Sequence, residues 1–340
     1  MSIENLEQIA QAMVAPGKGI IAVDESTSTI KKRMEAVGLE NSEENRRKYR
    51  QLLLTAPGLG EYISGAILFD ETIRQKTDDG RTMVQAMEAA GIIPGIKVDK
   101  GTHPLAGHPG EMVTEGLDGL RERLQEYAQL GAKFAKWRAV IKITDDTPTS
   151  AAVEANTHAL ARYAALCQEV GLVPMVEPEI LMDDKDSTQD LDTSFTVHKE
   201  VLQSLFAQLE LNDVMLEGLI LKVSMVIPGK YAAKEDQVDP EDVAEATVRV
   251  FKHAVPAAVA GIVFLSGGQA DQQATEHLNI INTMGPHPWP ISFSYGRALV
   301  SRALETWSKD QTGQYAAAQK TVVERAKENS LAAQGNWKKK

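Results

Sequence analysis

The sequence predicts an α/β protein of the (β/α)8 TIM-barrel class with extra helices at its two ends. Two observations predict it. Short β-branched runs recur roughly every 30 to 45 residues, with helical stretches filling the gaps. No G-x-G-x-x-G fingerprint follows the first run, which passes instead into Asp24-Glu25-Ser26. Alternation of strand and helix implies parallel strands with right-handed crossovers. An open doubly wound sheet usually carries that glycine fingerprint, so a closed barrel is the better reading.

Eight runs supply the strands. In order they are GIIAVDE from Gly19, ISGAILF from Ile63, IPGIKV from Ile93 and KFAKWRAVI from Lys133. LVPMVEPEI from Leu172, GLILKVSMV from Gly218, AGIVFLSGG from Ala260 and PISFSYG from Pro290 complete the set. Between them, Thr149 to Val170 and Asp192 to Leu211 show apolar residues at three- and four-residue spacing, the mark of an amphipathic helix. Thr149 and Ser194 are the expected N-caps. Ile3 to Val14 and Gln314 to Ala333 are read as the added helices. The 340 residues are read as one domain, with 335–340 as a flexible end.

Composition excludes several functions. Lys plus Arg is 36 and Asp plus Glu is 47, a formal charge of -11. Such a chain is a poor general binder of nucleic acid or of anionic membrane. The longest apolar stretch, Ala254 to Leu265, is too short to cross a bilayer and holds Pro256 and Gly261. The first residues, MSIENLEQIAQAM, lack the basic start and apolar run of a signal peptide. The single cysteine, Cys167, sits mid-helix and is read as a small buried hydrophobe. The expected setting is a reducing cytoplasm. The seven histidines show no metal-site spacing, and His103 and His108 are read as turn residues. No metal or cofactor is expected.

The charges fall where a barrel enzyme needs them. Active sites of this fold lie at the C-terminal ends of the strands. Asp24 ends the first strand, Lys97 the third, Lys136 and Arg138 the fourth, Glu177 and Glu179 the fifth, and Lys222 lies in the sixth. Residues two apart on a strand share a face. Seven charges on five buried strands are expensive unless they are used or paired. A salt-bridge network that merely fills the barrel is the structural alternative. The functional reading is proton transfer on an anionic substrate, with a lysine as covalent nucleophile.

An ordinary lysine is neutral in only about one molecule in two thousand at neutral pH. Bringing its pKa down to about 7 takes about 4 kcal/mol, which burial and a nearby cation can supply. Lys222 lies in an apolar run two strands from Lys136. Ser266-Gly267-Gly268 and Ser294-Tyr295-Gly296-Arg297 end the last two strands. Glycine turns there admit a phosphate to backbone amides and a helix start. Lys31, Lys32 and Arg33 form a second basic group, which without further support reads as a solvated helix face.

Read together, GKGIIAVDEST, ENRRKYRQLLLTAPGL, GIKVDKG, FAKWRAV, VPMVEPEIL, FLSGGQ and FSYGRAL run in order along nearly the whole chain. With these motifs the chain resembles the class I, Schiff-base fructose-bisphosphate aldolases. The resemblance implies a metal-free lyase that cleaves fructose 1,6-bisphosphate, in glycolysis and gluconeogenesis, and a homotetramer. It implies Lys222 as the imine-forming amine, and Glu177 with Glu179 beside it as acid and base. Asp24 would act on the substrate hydroxyl. Lys136 would hold Lys222 neutral and polarise the substrate. Ser266, Gly267, Gly268, Ser294, Gly296 and Arg297 would bind one phosphate. Arg33, with Lys97 or Lys32, would bind the other, and Arg138 is counted among the substrate- and phosphate-binding residues.

Two motifs depart from the family. LKPNMV reads LKVSMV, with Val223 and Ser224, and DESTGS reads DESTST, with Ser28 and Thr29. The terminal tyrosine of many animal members has no counterpart in Gly335-Asn336-Trp337-Lys338-Lys339-Lys340, so reprotonation of the enamine is expected to be slower or to use another group. The rival expectations are a Schiff-base barrel acting on another sugar phosphate and an inactive barrel scaffold.

Overall fold

A computed structural model describes residues 3–339, with the side chains of Ile3 and Glu4 left aside. Among the described residues there are ten strands: β1 (Gly19–Val23), β2 (Ile63–Leu68), β3 (Ile93–Lys97), β4 (Thr102–Pro104), β5 (Met112–Thr114), β6 (Phe134–Ile141), β7 (Val173–Ile180), β8 (Ile220–Val223), β9 (Gly261–Phe264) and β10 (Ile291–Tyr295). Eight of them close a parallel barrel in the order β1-β10-β9-β8-β7-β6-β3-β2. Every barrel strand falls within a run expected from sequence. β4 and β5 form a separate antiparallel pair on the β3–β6 connection.

The pleat sorts the side chains into two cores. Along β6, Phe134 and Lys136 point inward while Ala135 and Trp137 pack outward against the helices. The inner core is small: Ile20, Ala22, Ile67, Phe134, Val173, Met175, Ile220 and Val263 fill the lower barrel. The N-terminal helix Ile3–Met13 closes that floor, with Leu6, Ala10, Met13 and Val14 joining the same cluster. Phe134 occupies space that only glycine leaves open. A Cβ on Gly95 would stand 2.1 Å from the Phe134 ring. Above this apolar floor the inward positions switch to charge.

Helix limits follow the caps. Thr149 caps helix Ser150–Glu169, accepting from Ala152 N at 3.3 Å. The next helix starts earlier than expected, at Leu191, and Asp190 caps it by accepting from Thr193 N at 2.8 Å. Ser194 is therefore a fully buried residue of the first turn, not the cap. Aspartate one turn upstream outcompetes serine because it offers a charged acceptor to the free amides. His103, read as a turn residue, lies in β4, whose three exposed residues carry no hydrophobic alternation to betray a strand. Cys167 is fully buried.

The C-terminal helix, Tyr315–Ala332, is followed by residues that turn back on the body. Trp337 N donates to Asn279 Oδ1 at 2.9 Å, and Lys339 Nζ lies 3.0 Å from Glu276 Oε2. The end expected to be flexible thus has contacts along helix Asp271–Thr283 as far as Lys339; Lys340 lies outside the described residues. Among the described residues, no helix is long and apolar enough to cross a membrane.

Candidate active site

A cavity of about 840 Å³ opens at the C-terminal end of the barrel. Asp24, Lys97, Lys136, Arg138, Glu177, Glu179 and Lys222 all line it, so the seven charges read from the strand ends converge. Register explains the convergence. β6 pairs with β7 from Phe134↔Val173 to Ile141↔Ile180, and β7 pairs with β8 at Met175↔Ile220 and Val176↔Leu221. With side chains alternating, Lys136, Glu177 and Lys222 sit at adjacent inward positions on three neighbouring strands.

Their contacts form a chain of alternating sign. Lys222 Nζ lies 3.0 Å from Glu177 Oε1. Lys136 Nζ lies 3.0 Å from Glu177 Oε2 and 2.7 Å from Asp24 Oδ2. All four are nearly buried: Lys136 and Glu177 are 3% exposed, Lys222 4% and Asp24 9%. Lys136 approaches Glu177 Oε2 off the hydrogen-bond axis, leaving that oxygen without an aligned donor. It is a charge contact.

Burial acts to raise the pKa of Asp24, but the charges of Lys136 and Lys222 outweigh it and hold the carboxyl well below its ordinary range. Burial likewise opposes ionisation of Glu177, and Lys136, Lys222 and Arg138 overcome it, so the pKa is lowered. Burial would lower the pKa of Lys136; Asp24 and Glu177 reverse this and raise it. Lys136 is a firmly charged cation between two acids. The nearest charge to Lys222 is Glu177, which stands between it and Lys136.

Glu179 and Arg138 form their own ion pair higher on the wall. Gly267 leaves room beside Glu179, where a Cβ would meet Oε1 at 3.1 Å. Lys97 Nζ donates to Asp99 Oδ1 at 2.5 Å. Asp99 also accepts from Gly101 N at 3.1 Å and from Arg138 N at 3.3 Å, tying the β3 loop to β6. GIKVDKG contained Asp99, two residues past Lys97 and on the same face; that spacing was the available signal.

Two anion-competent regions flank the charge chain. Ser266, Gly267, Ser294, Gly296 and Arg297 line the cavity at β9 and β10. Helix Arg297–Lys309 begins there, so its free amides and positive dipole end face the cavity. Ser294 Oγ is buried and has no hydrogen-bond partner among the described residues. Gly268, grouped with these from sequence, is not among the lining residues. It makes the turn, at φ +76°, and a Cβ there would press on Met182 Cβ at 2.7 Å. On the other side Ser26, Ser28, Thr29 and Arg33 line the cavity. Lys31 and Lys32 are exposed and outside it, so of this basic group only Arg33 faces the site. Arg33 is ion-paired with Glu25, a lining residue that sequence reasoning left unassigned.

The departures find places. Ser224 Oγ accepts from Ile180 N at 3.2 Å, which joins β7 to the residue following β8. Ser26 Oγ lies 3.1 Å from both Ser28 Oγ and Thr29 Oγ1. No group of three or more His, Cys, Asp or Glu among the described residues could hold a metal ion.

This geometry has close relatives. The family model described as fructose-bisphosphate aldolase class-I matches residues 5–340. The chain belongs to the class I fructose-bisphosphate aldolase family. A protein of Xanthomonas axonopodis named as a probable fructose-bisphosphate aldolase class 1 is 64% identical over 99% of this chain and 100% of its own. A cytosolic fructose-bisphosphate aldolase of Arabidopsis thaliana is 49% identical over 99% of this chain and 85% of its own length. The fructose-bisphosphate aldolase of Plasmodium falciparum, solved in complex with TRAP and an inhibitor, superposes with a TM-score of 0.96. It is 46% identical, and the match covers 99% of this chain and 96% of that one. The aldolase barrel expected from the motifs is therefore the fold and the family of this chain.

Proposed function

We propose that this chain cleaves fructose 1,6-bisphosphate reversibly to dihydroxyacetone phosphate and glyceraldehyde 3-phosphate, through an imine on Lys222. The observation that carries the reading is the 3.0 Å contact of Lys222 Nζ with Glu177 Oε1 in the buried wall of the cavity. Family membership supports the same substrate.

The contacts of Lys222, Glu177, Asp24 and Lys136 support the following sequence of steps up to carbon–carbon cleavage. Glu177 takes a proton from Lys222, and the freed amine attacks the substrate ketone. Glu177 then returns its proton to the carbinolamine hydroxyl, which leaves as water and gives the protonated imine. Asp24, kept ionised by Lys136, removes the proton of the β-hydroxyl. That oxygen becomes the aldehyde carbonyl as the carbon–carbon bond breaks. The bonding electrons pass into the imine, leaving an enamine on Lys222. Protonation of the enamine carbon and hydrolysis of the imine release dihydroxyacetone phosphate and restore the amine. Glu179 and Arg138 pair with one another on the upper wall and fix its polarity. The unpartnered Ser294 hydroxyl, Ser266, Gly267, Gly296 and Arg297 suit one phosphate. Arg33 and Lys97 suit the other.

A homotetramer in the cytoplasm is part of this reading, resting on family resemblance; light scattering of the purified protein tests the assembly. Borohydride added with dihydroxyacetone phosphate tests the chemistry. Peptide mass mapping is expected to place a reduced adduct on Lys222, and Lys222→Ala to abolish both adduct and turnover. Activity is expected to survive EDTA. An adduct elsewhere, or none, overturns the assignment.

A further inference from the structure

The motif ENRRKYRQLLL has no part in the chemistry above, yet one of its arginines reaches the site indirectly. Arg50, on helix Glu43–Leu54, is 2% exposed and does not line the cavity. Its Nη1 lies 2.5 Å from Glu25 Oε2, off the hydrogen-bond axis. The other oxygen of Glu25 is paired with Arg33, whose side chain is 24% exposed and does line the cavity. The three side chains form a row, cation–anion–cation, leading from the protein interior to the cavity wall.

We propose that Arg50 and Glu25 are positioning residues for anion binding by Arg33. This rests on the reading of Arg33 as a ligand of the substrate's 6-phosphate, with the Ser294 and Arg297 side taking the 1-phosphate. Glu25 alone would hold the Arg33 guanidinium in place but cancel its charge. Arg50 behind it offsets the carboxylate, so the row keeps one net positive charge, and that charge sits on the member facing the cavity. Arg33 is then both oriented and electrostatically free, because Arg50 answers the acid that orients it. A buried ion contact with no aligned hydrogen bond is poorly explained as a stabilising device alone. Its charge compensation explains it.

The test compares steady-state kinetics on fructose 1,6-bisphosphate and on fructose 1-phosphate, which lacks the phosphate assigned to Arg33. Arg50→Met is expected to raise KM for the bisphosphate about tenfold, a loss near 1.4 kcal/mol, with a much smaller change in kcat and on the monophosphate. The double variant Glu25→Gln/Arg50→Met removes an anion and a cation together and is expected to return KM to within about threefold of the starting protein. Arg50→Lys keeps the charge and is expected to keep KM. A purely structural role predicts the reverse: the double variant as poor as the single or worse, and both substrates equally affected. That result overturns the proposal. If Arg50→Met does not fold, the double variant and Arg50→Lys decide, since a tenfold rise in either contradicts charge compensation. Arg33→Ala separates the two readings: without a selective loss on the bisphosphate, the phosphate assignment itself fails.

Discussion

Glu177 presents its two oxygens to two different amines, Lys222 and Lys136, each 3.0 Å away. In the proposed cycle one carboxylate therefore serves a nucleophile that must lose its proton and a cation that must keep its own. The two oxygens do different work in the proposed cycle, and substitution separates them from simple loss of charge.

Glu177→Gln keeps the shape but cannot accept a proton from Lys222. Loss of a positioned acid–base group costs about 10²- to 10⁴-fold in rate. kcat is expected to fall by that amount. In single-turnover borohydride trapping, imine formation should slow in parallel. Trapping at the original rate would assign proton transfer to another group.

Lys136→Met leaves Asp24 and Glu177 facing each other without their shared cation. Breaking a buried pair by removing one partner costs about 3–5 kcal/mol. The deficit should depend on pH with a definite sign. Asp24 and Glu177 have lowered pKa values, so their contribution is fully present above their ordinary values of 3.8 and 4.5, and is lost as pH falls through the lowered ones. Lys136 has a raised pKa, so its contribution is full below 10.5 and is lost only as pH rises through the raised value. Urea titrations should show a stability gap between the two proteins that is constant from about pH 5 to pH 9 and narrows in acid. A gap that widens in acid would contradict the charge assignment.

Ser294→Ala deletes a buried hydroxyl that has no hydrogen-bond partner among the described residues. Removing an unsatisfied group is close to neutral or favourable for folding. Melting temperature is expected to hold or rise slightly while KM for the bisphosphate rises about ten- to 150-fold, the loss of one hydrogen bond to a charged group. A fall in melting temperature without a KM effect would make Ser294 structural.

Gly95→Ala sets a Cβ 2.1 Å from the Phe134 ring, inside the barrel floor. Overpacking of this kind costs about 1–3 kcal/mol. Denaturant melts should show that loss, with part of it recovered by adding Phe134→Leu. Stability unchanged in Gly95→Ala would mean that the floor yields more easily than its close packing indicates.

Much of this was legible before any coordinates. Strand periodicity located all eight barrel strands, and the charged strand ends located the cavity, because alternation on a strand is a local property of the chain. The missed features depend on partners distant in sequence. Glu25 looks like a second acid after Asp24 until Arg50 is found behind it. Gly268 reads as part of a phosphate turn, and its packing beside Met182, where a Cβ would come within 2.7 Å, cannot be read from the local sequence. Lys32 and Arg33 are adjacent in sequence, and helical rotation alone decides that one faces the site and the other solvent. β4 and β5 are three residues each and pair with one another, so no sheet face imposed a hydrophobic pattern on them.

The helix Ile3–Met13 packs over the barrel floor, and among the described residues the active-site cavity opens at the opposite end. Whatever enters at the strand ends must leave there too. In the proposed reaction the first aldehyde departs while its other half is still tethered to Lys222, and both use the same mouth. The order of product departure is then imposed by covalent attachment and a stoppered floor.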